Sequence, residues 1–521
     1  MNPSLLMVLV ALLFLLAIID LIVGVSNDAV NFLNSAIGSK VTKVRTILIL
    51  ASIGILTGAL LSGQMMEVAR KGIFNPNLFT FQNLLYIFLA VMLTDIFLLD
   101  VFNTLGLPTS TTVSIVFELL GAAVITAYLK INFEGNSSEL LDFINSEKAL
   151  KIIQGILYSV GIAFAAGAIV QYVIRVIFSY NYLENSAVGI ALYTGLAFSF
   201  LSYLLVVKGL KKSNFLSIDQ MIYVKQNALQ IIAFTATVLS VIIYILHKAL
   251  KVNILKITVL FGVFTLAMAF ASNDLVNFIG VPVAGFQSYQ IWMNSGDSAE
   301  NLLMNDLAGN VPTPFLILFG AGVVMIITLW LSKKAKKVTL TEIKLSSQNV
   351  KNERFKSNIF SNTIVRLFTI VFTAFNKLLP EKTKIWINNR FKIPAWLDKP
   401  EAPAYDLLRA SVNLSVASMV IAYATNNKLP LSTTYVTFMV AMGTSLADRA
   451  WKKDTAGARV AGVINVISGW FLTALVAFFV AGLFVLTLYY LSIGGLFLIL
   501  TLVSFSVYKT FRISKKQNFG D

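Results

Sequence analysis

Two copies of one short polar motif, Ser-Asn-Asp-x-Val-Asn-Phe, stand inside otherwise apolar stretches of the sequence. The first copy begins at Ser26 and the second begins at Ser272. Each copy supplies one carboxylate and two carboxamides, and the six residues are Asn27, Asp28, Asn31, Asn273, Asp274 and Asn277. Carboxylate and carboxamide oxygens are hard ligands that suit Na⁺, and a carboxylate can also take up a proton. The motif therefore predicts a site for a monovalent coupling cation.

The presence of Asp28 and Asp274 in apolar segments requires an explanation, because a charged side chain inside a membrane segment is energetically costly. The simplest alternative to a binding role is a helix cap near the membrane surface. Recurrence of the same cluster in the second half of the chain disfavours capping alone. Four further acids lie in or near apolar segments, namely Asp20, Asp95, Asp100 and Glu118. Positions at the membrane interface explain several of them.

A second motif, Leu-Pro-x-Ser-Thr-Thr, also occurs twice and brings hydroxyl groups. It begins at Leu107 and at Leu429, and a glycine follows eleven residues after each serine. The predicted substrate-binding residues are Ser110, Thr111, Thr112, Ser432, Thr433 and Thr434. Because the motif follows a proline and opens a helical stretch, its exposed amides and hydroxyls favour an anion. Hydroxyls that bond back to their own helix are the alternative, and they explain one copy better than two.

The order and spacing of the motifs indicate an internal duplication. Ser26 lies 84 residues before Ser110, and Ser272 lies 160 residues before Ser432. The difference of 76 residues is close to the length of a basic stretch at 332–405. Seven apolar segments separate the two Asn-Asp motifs, and an odd number of crossings inverts the second copy. We therefore expect two inverted-topology repeats, with helices interrupted at both motifs near the membrane midplane.

These motifs must be held by a membrane-spanning scaffold. Of the 521 residues, 57 % are hydrophobic and 13 % are charged, whereas soluble domains carry roughly 25 % charged residues. The mean hydropathy is +0.79. The sequence thus predicts an all-α polytopic membrane protein with about 12–13 transmembrane segments. The apolar segments cover about residues 5–23, 45–62, 83–103, 112–129, 152–178, 187–207, 222–246, 255–271, 313–331, 406–423, 433–447, 461–485 and 488–508.

Composition excludes several kinds of site. The chain has no cysteine and one histidine, His247, so thiolate chemistry and zinc or haem sites built on several histidines are excluded. A membrane enzyme is disfavoured because the sequence has no H-E-x-x-H or similar catalytic spacing. The net charge of +16 indicates cytoplasmic loops that face anionic lipid, and no nucleic-acid partner is predicted.

The distribution of charge gives the domain organisation. Residues 332–405 carry 15 Lys and Arg against 5 Asp and Glu, an excess that marks the cytoplasmic side. We expect this insertion to fix topology and to contact lipid. The predicted parts are a first repeat at 1–130, connecting transmembrane helices at 131–250, the first part of the second repeat at 251–331, the basic cytoplasmic insertion at 332–405, and the rest of the second repeat with C-terminal helices at 406–521.

At these motifs the sequence resembles the inorganic phosphate transporter (PiT) family, whose members carry two Asn-Asp-x-x-Asn signatures and two Pro-x-Ser-Thr-Thr segments. As in the family, Gly38, Ser39 and Lys40 follow the first signature, and Gly280 and Pro282 follow the second. A late run is similar to the family's terminal Ser-Trp-x-x-Thr segment, and it comprises Ser468, Gly469, Trp470 and Thr473. The resemblance spans most of the chain apart from 332–405.

The resemblance implies a fold of inverted repeats, often dimeric, that moves inorganic phosphate together with Na⁺ or H⁺. It assigns the Asn-Asp motifs to the cation and the Ser-Thr-Thr motifs to phosphate. The family commonly has histidine after each Ser-Thr-Thr, whereas this chain has Val113 and Tyr435. Loss of both titratable rings beside the anion site favours Na⁺ over H⁺ as the coupling ion.

We therefore expect a cation-coupled symporter of inorganic phosphate, not an enzyme, that works by alternating access. No cofactor is expected beyond the transported Na⁺ or H⁺. The expected partners are inorganic phosphate, the coupling ion, membrane lipid and, from the resemblance, a second copy in a homodimer. The expected location is the inner (plasma) membrane of the cell. The alternatives are a symporter of another oxyanion such as sulfate and a passive anion channel.

Overall fold

The computed structural model is built from helices, and it describes residues 3–105, 109–133, 138–182, 187–210, 218–309, 311–332, 402–451 and 453–517, with short parts of 339–397. Within these residues the α-helices are α1 (Pro3–Asp28), α2 (Val30–Gly38), α3 (Val44–Leu61), α4 (Glu67–Lys71), α5 (Phe81–Leu105), α6 (Thr111–Phe133), α7 (Leu140–Phe143), α8 (Ser146–Phe178), α9 (Ala187–Leu210), α10 (Ile218–Gln226), α11 (Ala228–Leu250), α12 (Ile254–Ser295), α13 (Phe315–Leu331), α14 (Glu381–Arg390), α15 (Leu407–Asn426), α16 (Thr433–Ala447) and α17 (Lys453–Gln517). Short 3₁₀ helices lie at Ser62–Gln64, Pro76–Leu78 and Asn305–Ala308. The prediction of an all-α fold is confirmed.

Ten helical stretches of the described chain are long and apolar enough to cross a membrane, which makes this an integral, multi-pass membrane protein. The sequence predicts about 12–13 spans, and each predicted apolar segment overlaps one of the helices. The count is lower because the last two predicted segments lie on α17, which is helical on both sides of a kink at Ser492. Two further segments form the shorter helices α13 and α16, of 17 and 15 residues.

Glycines let the motif helices approach their neighbours closely, as is common where lipid removes the hydrophobic drive between helices. Gly121 on α6 faces the backbone carbonyl of Phe478 on α17, and a Cβ there would lie 2.1 Å from that oxygen. Gly443 on α16 faces the carbonyl of Phe164 on α8, at 2.2 Å. The glycine that follows each Ser-Thr-Thr motif therefore joins a motif helix to its neighbour in both halves of the chain.

Loops gather at two faces of the helix bundle. At one face, isolated backbone bridges join Phe74 to Ile144 and Thr80 to Leu303. At the other face, the amide of Ala404, at the end of the basic insertion, donates a hydrogen bond to the carbonyl at position 38, at 2.8 Å. The second face is therefore the one that the charge distribution predicts to be cytoplasmic.

The helices that carry the two Asn-Asp motifs run in opposite directions. Three contacts pair them along their length: Phe14 with Phe286, Gly24 with Phe278, and Phe32 with Phe270. Residue numbers rise along α1 and α2 as they fall along α12, so the two segments are antiparallel. The two copies of the motif consequently enter the middle of the bundle from opposite faces.

The predicted helix breaks occur at the Ser-Thr-Thr motifs and not at the Asn-Asp motifs. Helices α6 and α16 each begin at the first threonine of a Ser-Thr-Thr motif, after irregular chain, which confirms a break there. Leu107 and Pro108 lie outside the described residues. The predicted break at the second Asn-Asp motif is wrong, since this motif lies within the continuous α12. At the first motif only Ala29 separates α1 from α2, and its φ of −56° and ψ of −26° are helical.

The physical reason lies in where the motif amides bond. Asn27 and Asn273 each donate to a backbone carbonyl of another segment, Thr109 and Leu431 respectively. Their side chains therefore do not compete for the hydrogen bonds of their own helices, which is the effect that makes asparagine unfavourable inside a helix.

Replacing Gly443 with leucine tests the close contact between α16 and α8. The new side chain must push the helix away from the Phe164 carbonyl, and overpacking of this kind costs about 1–3 kcal/mol. We expect a lower thermal unfolding midpoint of the purified protein in detergent, measured by intrinsic fluorescence. Gly161→Leu on α8 is the matched control, because nothing lies within 4 Å of a Cβ there. Equal destabilisation by both substitutions would contradict a packing role for Gly443.

Candidate cation and anion site

The structure brings all twelve predicted site residues together in the middle of the bundle. Each of them is at most 2 % exposed. The Asn-Asp motifs lie on α1–α2 and on α12, and the hydroxyl motifs lie at the N-termini of α6 and α16. Four segments that are distant in sequence therefore surround one buried place, two from each half of the chain.

The first asparagine of each motif has the same role in both halves. The Nδ2 of Asn27 donates to the Oδ1 of Asp28 at 2.8 Å and to the Thr109 carbonyl at 2.9 Å. The Nδ2 of Asn273 donates to the Oδ1 of Asp274 at 2.7 Å and to the Leu431 carbonyl at 2.8 Å. Each asparagine thus ties its neighbouring carboxylate to the residue just before the serine of its own half.

The last asparagine of each motif reaches across to the other half. The Nδ2 of Asn31 donates to the Oγ1 atoms of Thr433 and Thr434, at 3.2 and 3.1 Å. The Nδ2 of Asn277 donates to the Oγ1 atoms of Thr111 and Thr112, at 3.2 and 3.0 Å. These exchanged contacts are what two copies related by an approximate twofold axis produce.

The two carboxylates accept hydrogen bonds from the threonine hydroxyls. Asp28 accepts from Thr111 at 3.0 Å and from Thr434 at 3.1 Å, and Asp274 accepts from Thr433. In the part of the chain that the structure describes, no lysine or arginine is bonded to either carboxylate. A buried carboxylate without a cationic partner is strongly unfavourable. The site therefore requires cations or protons to balance its charge.

One carboxamide oxygen offers a free acceptor beside Asp28. The Oδ1 of Asn27 is buried and accepts no hydrogen bond from the residues that the structure describes. By contrast, the Oδ1 of Asn273 accepts from Thr425 at 3.2 Å, and the Oδ1 of Asn31 accepts from Thr437 at 3.2 Å. An amide oxygen next to a carboxylate is a suitable ligand set for Na⁺.

Two helix N-termini meet at the same place. The Oγ of Ser110 accepts from the amide of Val113, and the Oγ of Ser432 accepts from the amide of Tyr435, both at 3.1 Å. Each serine is therefore an N-cap, and the hydroxyl keeps its own hydrogen to donate. Thr112 donates to the Leu431 carbonyl at 3.2 Å, which joins the two helix starts directly. First-turn amides and two positive dipole ends favour an anion there.

Sequence reasoning misses several contributors to the site. Thr109 supplies a carbonyl, while Thr425 and Thr437 supply hydroxyls to the motif asparagines. Thr437 follows Thr433 by one helical turn, and this spacing is a signal that could have identified it. Tyr435, one of the two departures from the family pattern, stacks on Trp470 with ring centroids 3.6 Å apart, so an aromatic pair stands where the family commonly has histidine.

The basic insertion also contacts the protein core. We expect it from its charge to fix topology and to contact lipid, and that expectation does not include contact with the core. Glu342 and Ser346 are 1 % and 0 % exposed. Asn34, one turn beyond the first motif, donates to a carboxylate oxygen of Glu342. The guanidinium of Arg409 donates to the Ser346 carbonyl at 2.7 Å. A segment of the insertion therefore covers one side of α2 at the face where the basic insertion lies.

Comparison with known proteins gives one family match. A model of the Phosphate transporter family matches residues 24–341. The chain is 35 % identical over 124 residues to a protein of Pyrococcus abyssi named a phosphate permease, covering 23 % of this chain and 31 % of that protein. It is 30 % identical over 118 residues to a protein of Thermococcus kodakarensis that is also named a phosphate permease, covering 22 % of this chain and 29 % of that protein. The matched stretches thus span about a third of these curated relatives.

The fold also has a counterpart among solved structures. A structure described as the sodium-dependent phosphate transporter superposes with a TM-score of 0.60 and 16 % sequence identity. The similarity covers 92 % of this chain and 99 % of that chain. At this identity the similarity shows a shared fold.

Glu342 makes docking of the insertion dependent on pH. Burial raises the pKa of Glu342 from its ordinary 4.5 to about 8, and the hydrogen bond from Asn34 offsets part of the rise. Docking is therefore most favourable below about pH 4.5, weakens as the pH rises from there to about 8, and weakens no further above about 8. We expect the rate at which limited proteolysis cuts the insertion to rise between about pH 4.5 and about pH 8 and then to level off. Glu342→Gln should lack this pH response, and the same response in both proteins would contradict the assignment.

Proposed function

Because this chain belongs to the phosphate transporter family, we propose that it is a cation-coupled symporter of inorganic phosphate, with Na⁺ favoured over H⁺. One observation carries the proposal: a single buried site joins two carboxylates to the N-termini of two helices. The carboxylates suit cations and the helix N-termini suit an anion, so this site favours binding both together.

Charge balance supplies the coupling between the two ions. Without a cation, an oxyanion at the helix starts meets the negative charge of Asp28 and Asp274, since the threonine hydroxyls that flank it also bond these carboxylates. With a cation bound, the repulsion is removed and the hydroxyls and amides can hold the oxyanion. Loss of the cation lowers the affinity for the anion, which allows release.

The antiparallel arrangement of α1–α2 and α12 supports alternating access. Each half contributes one carboxylate and one hydroxyl motif, and the hydrogen bonds of Asn31 and Asn277 cross between the halves. Rocking one half against the other would break and remake these contacts while both ions stay near the centre. A passive channel is disfavoured, because the site residues are at most 2 % exposed. Alternating access requires no open passage through the site.

Phosphate is favoured over sulfate by the acceptors in the site. Phosphate near neutral pH still carries a proton, and Asp28 or a main-chain carbonyl can accept a hydrogen bond from it. Sulfate has the same shape but no proton to donate.

We further propose that the protein works in the plasma membrane with the basic face in the cytoplasm, in contact with lipid. The homodimer stays a prediction from the resemblance.

Neutralising either carboxylate tests the cation site. Asp28→Asn and Asp274→Asn keep the side-chain size but remove the charge that a desolvated Na⁺ requires. We expect each to abolish Na⁺-dependent phosphate uptake while the protein still inserts and purifies normally. Asp100→Asn is the matched control, because Asp100 is also buried and also accepts from a threonine, Thr510, but lies outside the site. Normal Na⁺ dependence in Asp28→Asn or Asp274→Asn would assign that aspartate a structural role.

The second test concerns the anion. Ser110→Ala and Ser432→Ala remove a hydroxyl at each helix start, and we expect a higher half-saturating phosphate concentration in uptake assays. Loss of an N-cap alone costs about 0.5–2 kcal/mol, so Asn253→Ala, which removes the cap of α12, is the control for that effect. We also expect arsenate to compete with phosphate and sulfate not to compete. Equal competition by sulfate with unaffected serine variants would contradict the anion site.

A further inference from the structure

A second group of buried acids lies beside the candidate site without belonging to it. Asp20 on α1, Asp95 on α5 and Glu118 on α6 are each 0 % exposed. The carboxyl groups lie in series, because Asp20 is adjacent to Asp95 and Asp95 is adjacent to Glu118. Three acidic groups are thus held together in the interior of a membrane protein, where even one such group is costly.

Most of their oxygens have no hydrogen-bond donor. Ser114 donates to the Oε1 of Glu118 at 2.6 Å. Both oxygens of Asp20, both oxygens of Asp95 and the Oε2 of Glu118 are buried and accept nothing from the residues that the structure describes. Buried polar atoms are nearly always satisfied in folded proteins. These acceptors therefore indicate that a small species with positive charge belongs among them.

The surrounding helices carry basic residues, among them Lys130 on α6, but none of those that the structure describes acts on the three acids. The further charged group that acts on Asp20 and Asp95 is Asp28, which is negative as well. Helix α12 packs against α1 and carries Asp274, which acts on Asp28. Helix α13 also packs against α1 and has no titratable residue. Helix α17 packs against α5 and α6, and its Thr510 bonds to Asp100 further along α5.

The second half of the chain has no acid at the positions that correspond to these three residues. The duplicated site therefore does not need the acid group. Asp20 lies eight residues before Asp28, and the position eight residues before Asp274 is Leu266. Glu118 lies eight residues after Ser110, and the position eight residues after Ser432 is Val440. The residue fifteen before Ser432, which corresponds to Asp95, is alanine. An added role in the first half explains three acids that the symmetry of the motifs does not require.

We propose that Asp20, Asp95 and Glu118 form a proton-binding site, separate from the cation site at the Asn-Asp motifs. A carboxylate has no hydrogen to donate, so two adjacent carboxyl groups attract each other only when a proton lies between them. Protons also remove the desolvation cost of the charged forms. A metal ion is disfavoured, since the acids of the described chain do not form a metal-binding group of three and no carboxamide lies among these three residues.

This site extends the proposed function, and one part of it rests on that function. If Na⁺ binds at Asp28, the positive charge acts on Asp20 and Asp95, which Asp28 already influences. Binding of Na⁺ should therefore favour release of a proton from the acid group. By reciprocity, protonation of the acid group should weaken the binding of Na⁺. The proton site would replace the titratable function that the family commonly gives to histidine, at the places held here by Val113 and Tyr435.

Infrared difference spectroscopy on the purified full-length protein in lipid vesicles tests the proton site directly. Between acidic and alkaline pH, without Na⁺ or phosphate, we expect the C=O band of buried protonated carboxyls to decrease. Asp95→Asn and Glu118→Gln should each remove part of this band, and Asp20→Asn gives a third independent variant. Asp297→Asn is the control, because Asp297 is exposed. A pH-dependent band that all three variants leave unchanged, or no such band, would overturn the proposal.

A second measurement adds NaCl at constant pH, with choline chloride as the salt control. In the unmodified protein Na⁺ should lower the protonated-carboxyl band, and in Asp28→Asn it should not. Loss of the band on Na⁺ addition in Asp28→Asn as well would show that the acid group itself holds Na⁺ and would overturn the proton assignment. A pH-dependent band that ignores Na⁺ in the unmodified protein would support the proton site and contradict the Na⁺ part of the proposed function.

Discussion

Two carboxylates, Asp28 and Asp274, are buried in the middle of a membrane protein without a bonded lysine or arginine among the described residues. Much of the surrounding structure follows from this constraint. Threonine hydroxyls and asparagine amides bond to the carboxylates, and they come from helices of both halves. Since neutral donors reduce but do not remove the desolvation cost of a charge, a positive ion remains the natural partner of the pair.

The same constraint explains why the anion site proposed at the two helix starts needs no permanent cation beside it. An arginine would neutralise the carboxylates and would also hold an oxyanion tightly. In the proposed function, a mobile cation would neutralise them only while it is bound, so the affinity for the anion would change when the cation leaves. The structure supports this division of roles, because hydroxyl groups such as that of Thr111 lie between a carboxylate and a helix start.

The sequence predicts which residues the structure brings together at the candidate site, because the chemistry of the motifs depends on residue types. The duplicated asparagines, aspartates and hydroxyls all lie together as expected, and both Ser-Thr-Thr motifs open helices. The continuity of α12 through the second Asn-Asp motif was not predictable, since it depends on the Leu431 carbonyl from a distant segment. The reach of Asn31 to Thr433 is likewise a tertiary contact. Docking of Glu342 could not be inferred from the charge of a loop in which basic residues outnumber acidic ones.

Accumulation of phosphate in proteoliposomes tests the central claim, that a cation at the paired carboxylates allows phosphate to bind and cross. Labelled phosphate is supplied at equal concentration on both sides, with equal pH and ionic strength and an inward Na⁺ gradient balanced by choline. We expect phosphate to accumulate inside above its starting concentration, and we expect collapse of the Na⁺ gradient to end the accumulation. Phosphate that exchanges freely without Na⁺ and never accumulates, whatever the Na⁺ gradient, would contradict the account.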